Sequence, residues 1–265
     1  MTDHASVLAD FEKSSFTVKG RRRDVYRLGS GPAVIVLSEM PGITPMVAAF
    51  ARQVAARGHR VVMPHLFGTD GREPSNQAFA ATFREVCISR EFTLFATKRS
   101  GKITEWLIEL ATAEHQLNGG TGVGVVGMCL TGGFALAMMV DPVVMAPVLS
   151  QPSLPISLRK SARPRLQLSN QQLAAVKERV EGGACVIGLR FTGDKLVPAE
   201  RFQTLRDELG DGFIGVEIDS SEGNPWGYAA DAHSVLTEGL GPEGDSPTRR
   251  ALEQVLTFFD ERLSA

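Results

Sequence analysis

The chain has 265 residues, 43% of them hydrophobic, and a formal net charge of −2. That length and apolar share suffice for one sizeable core, so a single α/β domain over residues 1–265 is expected. The balance of charge gives no broad basic field for nucleic acid, and no run approaches the roughly 20 apolar residues of a membrane span.

The opening stretch, MTDHASVLADFEKSS, is polar and lacks the apolar region of a signal peptide. The only dense positive run, Arg21-Arg22-Arg23, stands at a strand start and reads as a solvated edge. Ala33 to Leu37 (AVIVL) is short, apolar and β-branched, as a buried strand is. Thr44 to Arg57 has a helical apolar period, with Thr44 as N-cap and Pro45 at the first helical position. Gly58 stops that helix, residues 59–63 form the next strand, and Pro64 closes it. A turn-rich loop, 68–76, precedes helical patterns at about 77–86 and 101–117. Val123 to Val126 is a strand, followed by a glycine-rich turn and an apolar helix to Met139. Strands follow at 143–148, 184–190 and 213–218, and helices at 169–179, from about 199 to 209, and at about 247–263. Segment 150–169 is irregular. Apolar runs alternating with helical periods predict an α/β architecture: a mostly parallel sheet of about seven to eight strands with helices on both faces.

The turn Gly127-Met128-Cys129-Leu130-Thr131-Gly132 joins a strand to a helix. A nucleophile at such a turn is held in a strained backbone conformation and needs small neighbours. Gly127, Gly132 and Gly133 supply them. The helix N-terminus favours a thiolate. Taken alone, a Gly-x-Cys is more often a buried structural cysteine; the strand before it and the helix after it favour a nucleophile.

A cysteine nucleophile needs a base and a group to orient that base. Of five histidines only His233 lies after Cys129, in a loop beyond the last strand; His65, just after a strand, is the competitor. Asp194, after the 184–190 strand, is the acid best placed to hold the imidazole, with Asp219 and Asp231 as weaker alternatives. Cys87, Cys129 and Cys185 form no paired framework and no zinc spacing, which suits a reduced, cytoplasmic setting.

These features together resemble the dienelactone hydrolase family, from about Pro32 to His233. The residues carrying the likeness are Glu39-Met-Pro-Gly-Ile43, Gly127-Met-Cys-Leu130, Gly193-Asp-Lys-Leu-Val-Pro198 and His233-Ser234. The resemblance implies an α/β-hydrolase fold with a Cys129-His233-Asp194 triad. It implies that Glu39 helps to generate the thiolate, and that Met40 and Leu130 supply backbone N–H groups to an oxyanion hole. The chain departs from the family pattern at Thr131, where glycine is usual and a slightly widened turn is expected. It departs again at Thr237, where a carboxylate-binding arginine is usual. Arg84 or Arg90 is the candidate for a second such arginine, with Arg90 preferred, and Trp226 and Tyr228 are candidate pocket residues. The segment 150–169 and the loop 220–232 are expected to shape the pocket. The reading is an ester or lactone hydrolase acting through an acyl-thioester, with no metal or organic cofactor. Its partner is a small-molecule ester or lactone, and the chain is a monomer or small homo-oligomer. A non-catalytic or thiol-redox-sensing protein on the same fold is the alternative.

Overall fold

Eight strands and seven helices are described by the computed structural model, which covers residues 6–88, 101–154, 163–241 and 244–264. The strands are β1 (Glu12–Val18), β2 (Arg21–Leu28), β3 (Ala33–Leu37), β4 (Arg60–Pro64), β5 (Val123–Met128), β6 (Val144–Ser150), β7 (Val186–Phe191) and β8 (Phe213–Ile218). They form one sheet in the order β1-β2-β4-β3-β5-β6-β7-β8, antiparallel at β1-β2-β4 and parallel from β4 to β8. The helices are α1 (Pro45–Ala56), α2 (Asn76–Ile88), α3 (Lys102–Asn118), α4 (Gly132–Met138), α5 (Asn170–Glu181), α6 (Ala199–Leu209) and α7 (Pro247–Leu263).

The period-2 alternation of β3 divides the core. Ala33, Ile35 and Leu37 pack with α3 to α6, whereas Val34 and Val36 pack with α1 and α7. All five are wholly buried, and burying each larger aliphatic side chain is worth roughly 1.5–3 kcal/mol. A run with no polar residue is what a strand covered on both faces requires. Local punctuation sets the helix ends. The Thr44 hydroxyl accepts from the Val47 N–H at 3.2 Å, Pro45 opens α1, and Gly58 follows it with φ +86°. At α5, Ser169 and Gln172 form a reciprocal capping box.

The chain runs outward from β3 to β4, then returns across β3 to β5. That reversal brings the C-terminal ends of β3 and β5 side by side, with Glu39 after one and Cys129 after the other. β2 begins at Arg21 as expected. β4 pairs only with its Val25–Leu28 stretch, so Arg21-Arg22-Arg23 has β1 on one side and no paired strand among the described residues on the other. Arg22 is exposed, while the Arg23 guanidinium lies over the Trp106 ring and the Arg21 carbonyl accepts from Trp106 Nε1 at 3.1 Å.

Candidate active site

Cys129 begins the turn between β5 and α4 with φ +55°, in the left-handed region that a non-glycine residue rarely adopts. Close packing around the turn makes small residues necessary. A Cβ on Gly127 would lie 2.2 Å from the Thr131 carbonyl oxygen, and one on Gly132 would lie 2.8 Å from Pro152 Cβ. Thr131 does more than tolerate the position where glycine was expected. Its buried hydroxyl accepts from the Met128 N–H at 2.8 Å and faces the carbonyl oxygens of Leu37 at 2.9 Å and Met128 at 2.8 Å. The side chain thus ties the nucleophile turn to the end of β3 instead of loosening it. The Cys129 sulfur meets Ser153 Oγ at 2.9 Å, and the Ser153 N–H donates to the Cys129 carbonyl at 3.0 Å.

Asp194 follows β7 through Thr192 and Gly193. A Cβ on Gly193 would come within 2.2 Å of the Ala230 carbonyl, so glycine lets the acid's turn press against the loop that carries His233. Asp194 Oδ2 lies 2.6 Å from His233 Nδ1, and Oδ1 accepts from the Leu196 N–H at 2.8 Å. That pairing leaves His233 Nε2 as the free ring nitrogen; it is buried and has no hydrogen-bond partner among the described residues. Burial works against a charged imidazole here. A negative charge on the Cys129 sulfur, once it is ionised, together with the Asp194 carboxylate, outweighs it and raises His233 well above the ordinary histidine range.

Glu39 is 3% exposed. Its Oε2 accepts from Gln151 Nε2 at 3.0 Å and Ser234 Oγ at 2.6 Å, and its Oε1 accepts from Thr237 Oγ1. Burial, helped by the charge of Glu238, pushes its carboxyl up to about 7 against the pull of those hydroxyl donors. Gln151, itself wholly buried, also accepts from the Val235 N–H at 3.2 Å. Glu39 and Gln151 therefore fasten the start of the 234–237 segment to the ends of β3 and β6.

Cys129, His233, Glu39, Met40 and Leu130 all line one cavity of about 610 Å³. Its outer wall is apolar: the Phe79 and Phe83 rings of α2 stack at 6.3 Å, and Leu154 and Leu196 stand opposite. Beneath the floor, the buried Arg201 donates to the carbonyls of Pro152 at 2.6 Å, Leu196 at 3.2 Å and Arg165 at 3.1 Å. Burial lowers its guanidinium to about 10. Among the described residues no group of three or more His, Cys, Asp and Glu side chains is placed to hold a metal ion.

The profile of the dienelactone hydrolase family matches residues 25–263, nearly the whole chain. The chain belongs to the dienelactone hydrolase family. A carboxymethylenebutenolidase of Rhodococcus opacus is 29% identical over 108 residues, which are 41% of this chain and 38% of that protein, so the match spans well under half of either. The dienelactone hydrolase of Anabaena variabilis superposes with a TM-score of 0.56 at 15% identity, covering 96% of this chain and 99% of that one. A dienelactone hydrolase-like promiscuous phosphotriesterase from metagenomic libraries gives 0.63 at 16% identity, covering 96% and 98%. Such distant likenesses establish the α/β-hydrolase fold.

Within this family frame the other candidates fall as follows. His65 Nδ1 is engaged by Asp70 Oδ1 at 2.8 Å, and His65 does not line the Cys129 cavity. Asp219 accepts from the Ser221 N–H at 2.9 Å, and Asp231 is exposed. Trp226 and Tyr228 line a neighbouring cavity that meets the first at His233, Ser234 and Glu238. Tyr228 packs on Phe191 and bonds Thr248 at 3.1 Å, and Trp226 lies under Arg250. Arg90 lies outside the described residues, as do residues 155–162 of the irregular segment. Cys185 belongs to the opposite core cluster from Cys129. No helix among the described residues is long and apolar enough to cross a membrane. Sequence reasoning missed Ser153, Gln151 and the two phenylalanines of α2. Only the phenylalanines left a signal, two aromatic residues four apart on one face of a helix.

Proposed function

We propose that this chain is a carboxylic-ester or lactone hydrolase, one α/β domain in which Cys129 is the nucleophile. The observation carrying the reading is the Asp194–His233 pair at 2.6 Å, set on the same cavity as a cysteine held at φ +55° between strand and helix. His233 Nε2 takes the thiol proton, and the sulfur turns from Ser153 to add to the carbonyl carbon. The carbonyl π pair moves onto oxygen, where the Met40 and Leu130 N–H groups stabilise the oxyanion by several kcal/mol. The tetrahedral adduct collapses, the C–O bond breaks, and His233 returns its proton to the leaving alkoxide. Water, deprotonated by His233, then cleaves the acyl-thioester and restores the thiol. Asp194 keeps the proton on Nδ1 so that Nε2 stays the working nitrogen. Glu39, tied to Ser234 beside His233 and lining the same cavity, assists formation of the thiolate. A cytoplasmic, reduced setting suits a free catalytic thiol.

The test is hydrolysis of p-nitrophenyl acetate and of a small lactone panel by wild type, Cys129→Ala and His233→Ala. Loss of at least about 100-fold in both variants is expected. An acyl adduct on the Cys129 peptide should be trapped by acid quench. Equal rates in all three proteins would refute the proposal.

A further inference from the structure

The cavity wall is apolar, and the charged groups that line it among the described residues are Glu39, Glu238 and His233, with no lysine or arginine. Glu238 is exposed, follows directly on Thr237, and forms no ion pair among the described residues. It is also the residue where the Cys129 cavity and its neighbour of about 610 Å³ meet, together with His233 and Ser234. From this placement we propose that Glu238 sets the charge preference of the site: it turns away substrates bearing a carboxylate, and the class taken is neutral esters with an apolar acyl group. The inference rests on the hydrolase reading for its substrate class, though not for the charge effect itself.

Two physical terms act together. A carboxylate entering between Phe79, Phe83, Leu154 and Leu196 gives up hydration without a cationic partner among the described residues, which costs free energy. It then meets the like charge of Glu238 in a cleft where screening by water is reduced. The field of Glu238 already reaches the cavity floor, where it adds to burial in raising Glu39. A neutral ester suffers neither term, and its acyl chain covers the exposed faces of Phe79, Phe83 and Leu196, which are 44%, 39% and 40% accessible.

The test reads charge at Cys129 without turnover. Iodoacetate and iodoacetamide are nearly the same size and differ by one negative charge. Each alkylates a thiol by displacing iodide and forming a C–S bond. Their rates at the Cys129 peptide, followed by mass spectrometry to separate it from Cys87 and Cys185, give a ratio for wild type, Glu238→Gln and Glu238→Arg. The iodoacetate-to-iodoacetamide ratio should rise on the order of three- to tenfold in Glu238→Gln, the size of one partly screened charge interaction, and further in Glu238→Arg. Added salt should narrow the difference. Ratios equal within twofold across the three proteins would overturn the proposal, and thermal melting checks that all three are folded. In parallel, kcat/KM for p-nitrophenyl butyrate against the mono-p-nitrophenyl ester of succinic acid should favour butyrate in wild type and shift toward succinate in Glu238→Arg. Failure of wild type to hydrolyse either ester would sink the hydrolase reading, whereas a wild type that takes both esters equally would sink the charge preference alone.

Discussion

Replacing Thr131 by valine keeps the shape of the side chain and removes its hydroxyl, so the effect isolates the polar role of a residue in a closely packed turn. Two losses follow. The Met128 N–H, buried at the end of β5, loses its acceptor at 2.8 Å, and the carbonyl cluster of Leu37 and Met128 loses a donor. An orphaned buried N–H costs about 1–3 kcal/mol, and a carbonyl with a second lone pair costs less, so the sum is about 2–4 kcal/mol. For a chain of this size, that lowers the melting temperature by roughly 4–7 °C. Thr131→Ser keeps the hydroxyl and loses one methyl, about 1 kcal/mol. Thermal and urea unfolding of both variants would be compared with wild type. If Thr131→Val melts with wild type while Thr131→Ser falls below it, the methyl group rather than the hydroxyl joins the turn to β3, and the reasoning is wrong.

Glu39→Gln should change the pH dependence of stability. Between the ordinary glutamate range and about 7 the folded protein keeps a proton that the unfolded chain has lost, so wild-type stability falls as pH rises through that window. The loss from this group is about 3 kcal/mol in all and levels off above 7. Urea midpoints at pH 5 and pH 8 should therefore differ less in Glu39→Gln than in wild type, and an unchanged difference would count against a protonated Glu39. Ser153→Ala frees the Cys129 sulfur to turn toward His233 Nε2. Alkylation of Cys129 by iodoacetamide at pH 7 should then speed up by about fivefold, the worth of one hydrogen bond, and a slower reaction would mean that Ser153 stabilises the reactive thiolate.

Much of the scaffold was legible because its signals are local. An uninterrupted five-residue β-branched run such as residues 33–37 favours a strand covered on both faces, and the Thr44-Pro45 pair marks a helix start within a residue. The turn at Cys129 was legible for a related reason: the glycines around it answer the steric demand of a close strand-to-helix crossing. Asp194 and His233 could be chosen by order along the chain, since each follows a strand on the cavity side of the sheet. What stayed hidden depends on neighbours distant in sequence. Whether β2 is an edge is decided by β1, whose mixed sequence EKSSFTV carries no strong strand period. Ser153 lies in an irregular segment, and its contact with Cys129 arises because β6 ends beside β5. Thr237 looked like a missing cation until its hydroxyl was found on Glu39. Trp226 and Tyr228 line the neighbouring cavity that shares His233, and they also pack against Arg250 and Phe191.

Arg201 has a consequence for how such a site can change over time. One guanidinium holds Pro152, next to Ser153, and Leu196, two residues beyond Asp194, so the segments after β6 and β7 are joined through one side chain. The α2 wall has no such fastening among its cavity-facing phenylalanines, which lie half-open to water. New specificities can therefore be written on α2 by ordinary substitution while the reacting groups keep their spacing, a division between a fixed engine and an exchangeable nozzle.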